Sequence, residues 1–401
     1  MLINANFKRL FLGRSISNIG DSFYTIGLSW YIFSITNSAS WVGILNFFLF
    51  LPNVFSFLLG NYIERHNQQR LLVAIEALQG LLLVGIIAAI ILPSATMIKA
   101  SLICGLAFVI STIGMNAYVI EDTLMPVLVS KDKLSKAAMI MSFSYNSMDY
   151  LGNALGGLLL KMMSVVPLLI MDVVTFILSA LHFSRLKFKQ PVSETTTEAS
   201  PLAGMSLIFK RSDLLTITLL GGVANFMFGG LTVYDVVIGN GLGGSAWYGF
   251  LLAIESVGVT LGSTFFAQLL LKKINLGKLF CLSNFGMALF LIGTIWITNR
   301  VMFLSIWLVA FMFQGLNRVV MTPYLQATIA DGQRAKFFSA FNTLTVTPLP
   351  LGALLFGKLS TVLNWKVFIA IFSGLTFLSA LGFLANTRIS HFREADTIVD
   401  D

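Results

Sequence analysis

The sequence predicts an all-α membrane protein of twelve transmembrane helices arranged as two six-helix bundles. Three observations carry this: a composition too apolar for water, apolar runs of membrane-crossing length, and a phrase that returns half a chain later. Of 401 residues, 56% are hydrophobic and 11% charged, with a mean hydropathy of +0.85, far from the usual soluble mix. A helix of roughly 20 apolar residues crosses a bilayer core, and runs of that length recur between short polar connectors. The segment ASWVG at Ala39–Gly43 comes back as SAWYG at Ser245–Gly249.

The elements follow in order, with bounds good to about 2–4 residues. The first span, roughly 12–35, is interrupted by Asn18, Asp21 and Ser22 and lacks a small-x-small cleavage site, so it is expected to stay in the mature chain rather than act as a signal peptide. Trp41 opens the second, roughly 41–62; tryptophan favours the interface, and its small neighbours allow a tight turn. The third is placed at roughly 71–92 and the fourth at 99–125, ending before Pro126. The fifth, roughly 136–161, carries Gly152 and Gly156–Gly157, and the sixth covers roughly 164–185. After a polar connector come 214–239, then 246–270 opened by Trp247, and 277–298, again as rough bounds. The last three are roughly 301–326 with Pro323, 335–361 with Gly352 and Gly357, and 365–386. Pro126 precedes Lys131 and Lys133 as Pro323 precedes Arg334 and Lys336. Six spans, a connector and six spans again indicate a duplication with a path between the halves.

The predicted organisation is a bundle at 1–185, a cytoplasmic linker at 186–211 with a short amphipathic helix near Leu202–Lys210, a bundle at 212–387, and a tail at 388–401. With both termini inside, 20 of the 26 Lys and Arg fall on the inner face, which fixes the orientation and accounts for the net charge of +8 without nucleic acid. Cys104 and Cys281 lie in apolar spans with no CxxC or His partner, so no disulfide framework and no metal site is expected. There is no HExxH, GxSxG or Walker loop. The chain is therefore expected not to be an enzyme, to need no cofactor, and to draw any pumping from an ion gradient. Its short loops suggest no obligate protein partner; the bilayer, a small-molecule substrate and protons are the expected partners.

Ionisable side chains at mid-bilayer cost about 2.5–3.5 kcal/mol even on insertion scales, so each is a functional candidate. Asp149 lies near the middle of the fifth span, in a row with Ser142, Asn146 and Asn153 at helical spacing. Such a stripe suits a water-lined path; the alternative is a polar contact between two helices. Asp21 stands in a row with Arg14, Ser17 or Asn18, Thr25 and Ser29, where small changes of access would switch its protonation, or where a permanent base partner would fix packing. Glu255 lies inside the eighth span and Arg318 inside the tenth. Candidate partners of Arg318 are Asp149, Glu121, Asp122 and Glu255, which sequence does not rank. Asp172, Asp235 and Glu76 stand close enough to span ends to be hydrated, and Glu121 and Asp122 are placed to meet the basic loops as a gate.

The loop GNYIERHNQQRLL between the second and third spans resembles the Gly-x-x-x-Asp-Arg-x-Gly/Asn-Arg-Lys pattern of the major facilitator superfamily. Gly60, Arg65 and Asn67 match, and Glu64 stands for the Asp. The resemblance covers essentially the whole chain. Asn18–Asp21, the region from Pro126 through Ala137, and MSLIFKRSDLL look most like the drug/proton antiporter branch that includes macrolide exporters. It implies alternating access. The residues themselves then suggest Gly60, Glu64 and Arg65 as a conformational latch, with a topology signal as the alternative, and Asp21, Asp149, Asn146, Asn153, Glu255 and Arg318 along the proton and translocation path. Efflux of small amphiphilic or hydrophobic compounds coupled to proton entry, from a bacterial inner membrane, is the expectation. Gly152 is followed by Asn153 where antiporters of the superfamily carry a Gly-Pro pair, which leaves a proton-coupled importer of a polar solute such as a sugar as the alternative.

Overall fold

The computed structural model describes residues 4–55, 66–130, 133–188, 201–271, 274–329 and 331–390. The side chains of Ser142, Asn146, Asp149 and Arg318, and all of Gly60, Glu64 and Arg65, lie outside the described residues. The helices are α1 (Ala5–Thr36), α2 (Ala39–Val54), α3 (Gln68–Ile91), α4 (Thr96–Leu128), α5 (Leu134–Met162), α6 (Val165–Ser184), α7 (Pro201–Lys210), α8 (Ser212–Leu242), α9 (Ser245–Leu261), α10 (Leu276–Gly293), α11 (Arg300–Thr328), α12 (Asp331–Val346), α13 (Pro348–Leu359), α14 (Trp365–Ala385) and the short α15 (Thr387–Ser390). The chain is an all-α membrane protein: among the described residues nine helical stretches are long and apolar enough to cross a membrane. The three other predicted spans are α1, α2 and α5. α1 and α5 are long enough to cross, but their polar rows dilute the apolar signal, whereas α2 is described only as far as its proline-bearing end at Pro52–Val54.

Local chemistry sets the helix ends. Asn4, Asn67, Asn299 and Asn364 each accept a backbone N–H of the first turn of α1, α3, α11 and α14, the preferred side-chain cap for otherwise unpaired amides. The two repeated phrases both follow a left-handed or glycine turn: Asn37, with φ 51°, precedes α2, while Gly243 and Gly244, with φ 136° and 101°, precede α9.

The chain forms two compact units: Met1–Thr197 with Gly243–Ala253, and Glu198–Leu242 with Ile254–Asp401. In the first, α1 packs on α5 and α6, α3 on α4 and α6, and α2 on α4. In the second, α8 packs on α13 and α14, and α10 on α11 and α14, so the pairings of the first unit recur. Small residues permit these approaches. In the first unit, a Cβ on Gly20 would overlap the side chains of Asp172 and Thr175 on α6, and Gly157 of α5 meets Gly249 of α9 backbone to backbone. In the second, Gly258 and Gly262 of α9, spaced four apart, lie against the backbone of α11 from Leu308 to Met312, and α9 loosens into a π-helical turn at Gly262–Phe266.

One ionic cluster ties the second unit near the start of α8. The buried Asp213 carboxylate accepts both Nε and Nη2 of Arg211 and, at 2.8 Å, the Tyr324 hydroxyl of α11, with Arg388 Nη1 3.8 Å away. Removing the carboxylate takes an acceptor from the Tyr324 hydroxyl and from two nitrogens of Arg211, whose side chain is 34% exposed and can turn to water. Asp213→Ala is therefore expected to lower stability by about 1–3 kcal/mol and Tyr324→Phe by about 1 kcal/mol, with thermal unfolding in detergent as the measurement. Equal melting of Asp213→Ala and wild type would show that the cluster holds nothing.

Candidate functional site

In the first unit, among the described residues, Arg14 and three acids are buried in the apolar interior, with Asp21 at its edge. α1 brings Arg14, Ser17, Asn18 and Asp21 along one face; α3 brings Glu76; α4 brings Tyr118 and Glu121; α5 brings Tyr145; and α6 brings Asp172. Arg14 is 2% exposed, and Glu76, Glu121 and Asp172 are fully enclosed. Arg14 Nη2 stands 3.7 Å from Asp21 Oδ2, and its Nε stands 3.7 Å from Glu121 Oε2. The Arg14 guanidinium carbon lies 3.7 Å from the centre of the Tyr118 ring, within cation–π range. At 3.7 Å the two ion pairs are charge contacts rather than hydrogen bonds, and Arg14 Nε has no hydrogen-bond partner among the described residues.

The acids are held unequally. Glu121 Oε2 accepts the Tyr145 hydroxyl at 3.0 Å while its Oε1 is buried without a partner. Ser17 donates to Glu76 at 3.2–3.3 Å. Asp172 Oδ1 accepts Thr175 at 3.0 Å, with Oδ2 left unpartnered. Tyr118 donates to Asn18 at 3.2 Å and its ring lies 5.3 Å from that of Tyr145. Asp21 differs from the other three, because its side chain is 35% exposed. A guanidinium placed evenly between two carboxylates, one reachable and one sealed, is held by charge without being locked by hydrogen bonds. Protonation of either acid shifts the balance toward the other.

Sequence reasoning placed some of this and missed the rest. Asp21 is beside Arg14, as the row on the first span suggests. Arg14 itself, counted among the bases of the inner face, is enclosed within the bundle. Among the described residues Glu121 pairs with Arg14 rather than with a loop base, and Asp172, Asp235 and Glu76 are buried rather than hydrated. The spacing of Tyr118 and Glu121, three apart on one helix face, was the available signal for α4. Asn153 is half-buried on α5. Glu255, in the second unit, accepts Trp307 Nε1–H at 2.8 Å. Asn146, Asp149 and Arg318, and the latch residues Gly60, Glu64 and Arg65, fall outside the described side chains.

Comparison with known proteins gives this arrangement its setting. A family model described as transmembrane secretion effector, of the major facilitator type, matches residues 2–401. The Staphyloferrin A transporter of Staphylococcus aureus (strain NCTC 8325 / PS 47) is 24% identical over 356 residues, 87% of this chain and 88% of that protein. Among solved structures, the nucleoside transporter NupG superposes with a TM-score of 0.75 at 12% identity, covering 94% of this chain and 98% of that one. A D-xylose-proton symporter superposes with a TM-score of 0.75 at 11% identity, covering 100% of both chains. A bacterial homologue of the iron transporter ferroportin in an inward-facing state reaches 0.68 at 14% identity, covering 94% of this chain and 98% of that one. At these identities the structural likenesses speak for the fold alone.

Proposed function

We propose that this chain, which belongs to the transmembrane secretion effector family of major facilitator transporters, exports small amphiphilic or hydrophobic compounds in exchange for protons. It is a secondary transporter; the cargo, its direction and the coupling ion are the proposal. The observation that carries it is the Arg14 cluster, in which Asp21 and Glu121 flank one base and, of these two acids, Asp21 is the exposed one. Acids in excess of bases in a low-dielectric interior favour bound protons, or a passing cation, over anions. Asp21 is then the group that exchanges its proton with water, and Arg14 moves its charge from Asp21 toward Glu121 when it does. The family description supports an outward direction.

Asp149, Asn146 and Asn153 on α5, with Glu255 and Arg318 in the second half, complete the proposed path, and Gly60, Glu64 and Arg65 the proposed latch. The termini would face the cytoplasm of a bacterial cell. The relative named as a staphyloferrin A transporter supports a second reading, in which the cargo is a compound of that kind rather than a drug.

Inverted membrane vesicles holding a pH gradient test the reading. Lipophilic cations, lipophilic anions and sugars are added in turn to wild type, Asp21→Asn and Asp149→Asn at matched expression. Proton release on adding a cation, lost in Asp21→Asn, is expected. Proton movement with sugars alone would favour an importer, and wild-type behaviour of both variants would remove these carboxylates from the path.

A further inference from the structure

Two exposed bases stand at one end of an apolar seam on the outside of the second unit. On α10, Lys278, Phe285 and Leu289 are exposed at spacings of seven and four, with Leu282 half-buried between them, so they share one helix face. On α14, Phe377, Leu381 and Leu384 are exposed in the same way, and Arg388 follows on α15. The two helices lie side by side with contacts in opposite order. Phe280 lies 4.2 Å from Phe383 beneath the surface, and Phe285 lies 5.7 Å from Phe377 on it, ring centre to ring centre. Both helices are apolar enough to cross a membrane, so exposed side chains along their length meet acyl chains. α15 closes the end of the seam, because a Cβ on Gly277 would overlap the Ile389 carbonyl. Lys278 and Arg388 are the chain neighbours of those two touching residues, which sets both bases at the same point.

Among the described side chains the protein offers these bases little negative charge. Asp213 is fully buried and already filled, accepting two nitrogens of Arg211 and the Tyr324 hydroxyl. Arg211 is held further by donating Nη1 to Thr328 O at 2.6 Å. Arg388 is the loose member of this cluster: its Nη1 stands 3.8 Å from Asp213 Oδ1, beyond hydrogen-bond range, and its side chain is 66% exposed. Two guanidinium groups thus face one carboxylate. Lys278 is exposed, with no carboxylate in ion-pair range among the described side chains. Asp235 lies 22 residues after Asp213, about 33 Å along the axis of α8, and so does not offset this charge.

We infer that the seam between α10 and α14 binds an anionic phospholipid, its phosphate held by Lys278 and Arg388 and an acyl chain laid along Phe285, Phe377 and Leu381. The guanidinium presents paired donors to two phosphate oxygens, and the ammonium adds a point charge beside them. A free phosphate would find the same bases but leave the apolar row behind them unused; a lipid uses both. A zwitterionic headgroup brings a cation of its own toward two bases, so the site favours a headgroup of net negative charge. The bound phosphate would brace α10 and α15 against each other where Gly277 meets Ile389. The site does not rest on the proton-coupled reading above.

The test uses the purified full chain in detergent and needs no cargo. Thermal unfolding is followed against added phosphatidylglycerol, phosphatidylcholine or inorganic phosphate. The midpoint is expected to rise and saturate with phosphatidylglycerol alone. A base near an anionic headgroup changes affinity about fivefold, so Lys278→Gln and Arg388→Gln should each move the phosphatidylglycerol response to about fivefold higher lipid, and both together further. Lys366→Gln removes a base at the opposite end of α14 and should leave the response as in wild type. Lys278→Gln keeps the Asp213 cluster intact, so it decides the matter if Arg388→Gln does not fold. In Phe285→Trp, the added emission should be quenched by brominated phosphatidylglycerol at lower lipid than by brominated phosphatidylcholine, and Lys278→Gln should remove that preference. An equal rise with phosphatidylcholine would reduce the seam to acyl contact, and a rise with inorganic phosphate would make it a free-anion site; either overturns the assignment. So would an undiminished phosphatidylglycerol response in the double variant, which would place the lipid elsewhere. None of these outcomes depends on whether the chain moves protons.

Discussion

Replacing Arg14 by methionine is expected to abolish transport and to destabilise the protein by about 3–5 kcal/mol, because it strips Glu121 of the one base paired with it among the described residues and leaves a sealed carboxyl uncompensated. The double variant Arg14→Met with Glu121→Gln removes both charges and should recover most of the stability, since a buried pair replaced by neutral groups of similar size is often close to neutral. It should not recover transport, because Asp21 would still lack the charge that answers its protonation. Arg14→Lys keeps the charge but loses the planar contact with the Tyr118 ring, and is expected to fold and transport slowly. Thermal unfolding in detergent and vesicle flux, measured side by side, separate the two roles. Full transport by Arg14→Met would remove the cluster from the mechanism.

The second large effect is expected at Gly157. Its Cα and that of Gly249 lie so close that a Cβ on either would overlap the other's backbone, and backbone cannot move aside as a side chain tip can. Nearby, Trp30 stacks on Tyr248 with ring centres 5.7 Å apart, and Lys161 stands 5.5 Å from the Phe250 ring, so the start of α9 is held on both sides of the glycine contact. Gly157→Ala should cost about 1–3 kcal/mol by overpacking, and Gly157→Leu should reach the membrane but carry no flux. Gly105 of α4, where a Cβ would meet nothing within 4 Å, is the control, and Gly105→Ala should melt and transport as wild type. Equal behaviour of the Gly157 and Gly105 variants would show that α5 and α9 need no such approach.

How much of this was legible in the sequence depends on how far apart the partners lie. The polar row of the first span was visible because its members sit three and four residues apart on one helix. Arg14 beside Asp21 follows from that spacing. The apolar runs and the repeated Trp phrase gave the helices and their two-fold recurrence, since both are local patterns. The contact of Arg14 with Glu121 spans more than a hundred residues and depends on how α1 and α4 rotate against each other, which no periodicity records. Asp172 and Asp235 were misjudged for a related reason. Distance from a span end measures depth along one helix, while burial is set by neighbours, and α1 at Gly20 closes over Asp172.

The central claim is that an ion gradient drives flux through the Arg14 cluster. It is tested most directly in proteoliposomes loaded with a lipophilic cation, with an imposed pH gradient and no nucleotide present. The account predicts that cation flux reverses when the gradient is reversed, stops when a protonophore collapses it, and is lost in Asp21→Asn. Flux that ignores both the gradient and the protonophore in wild type would contradict it.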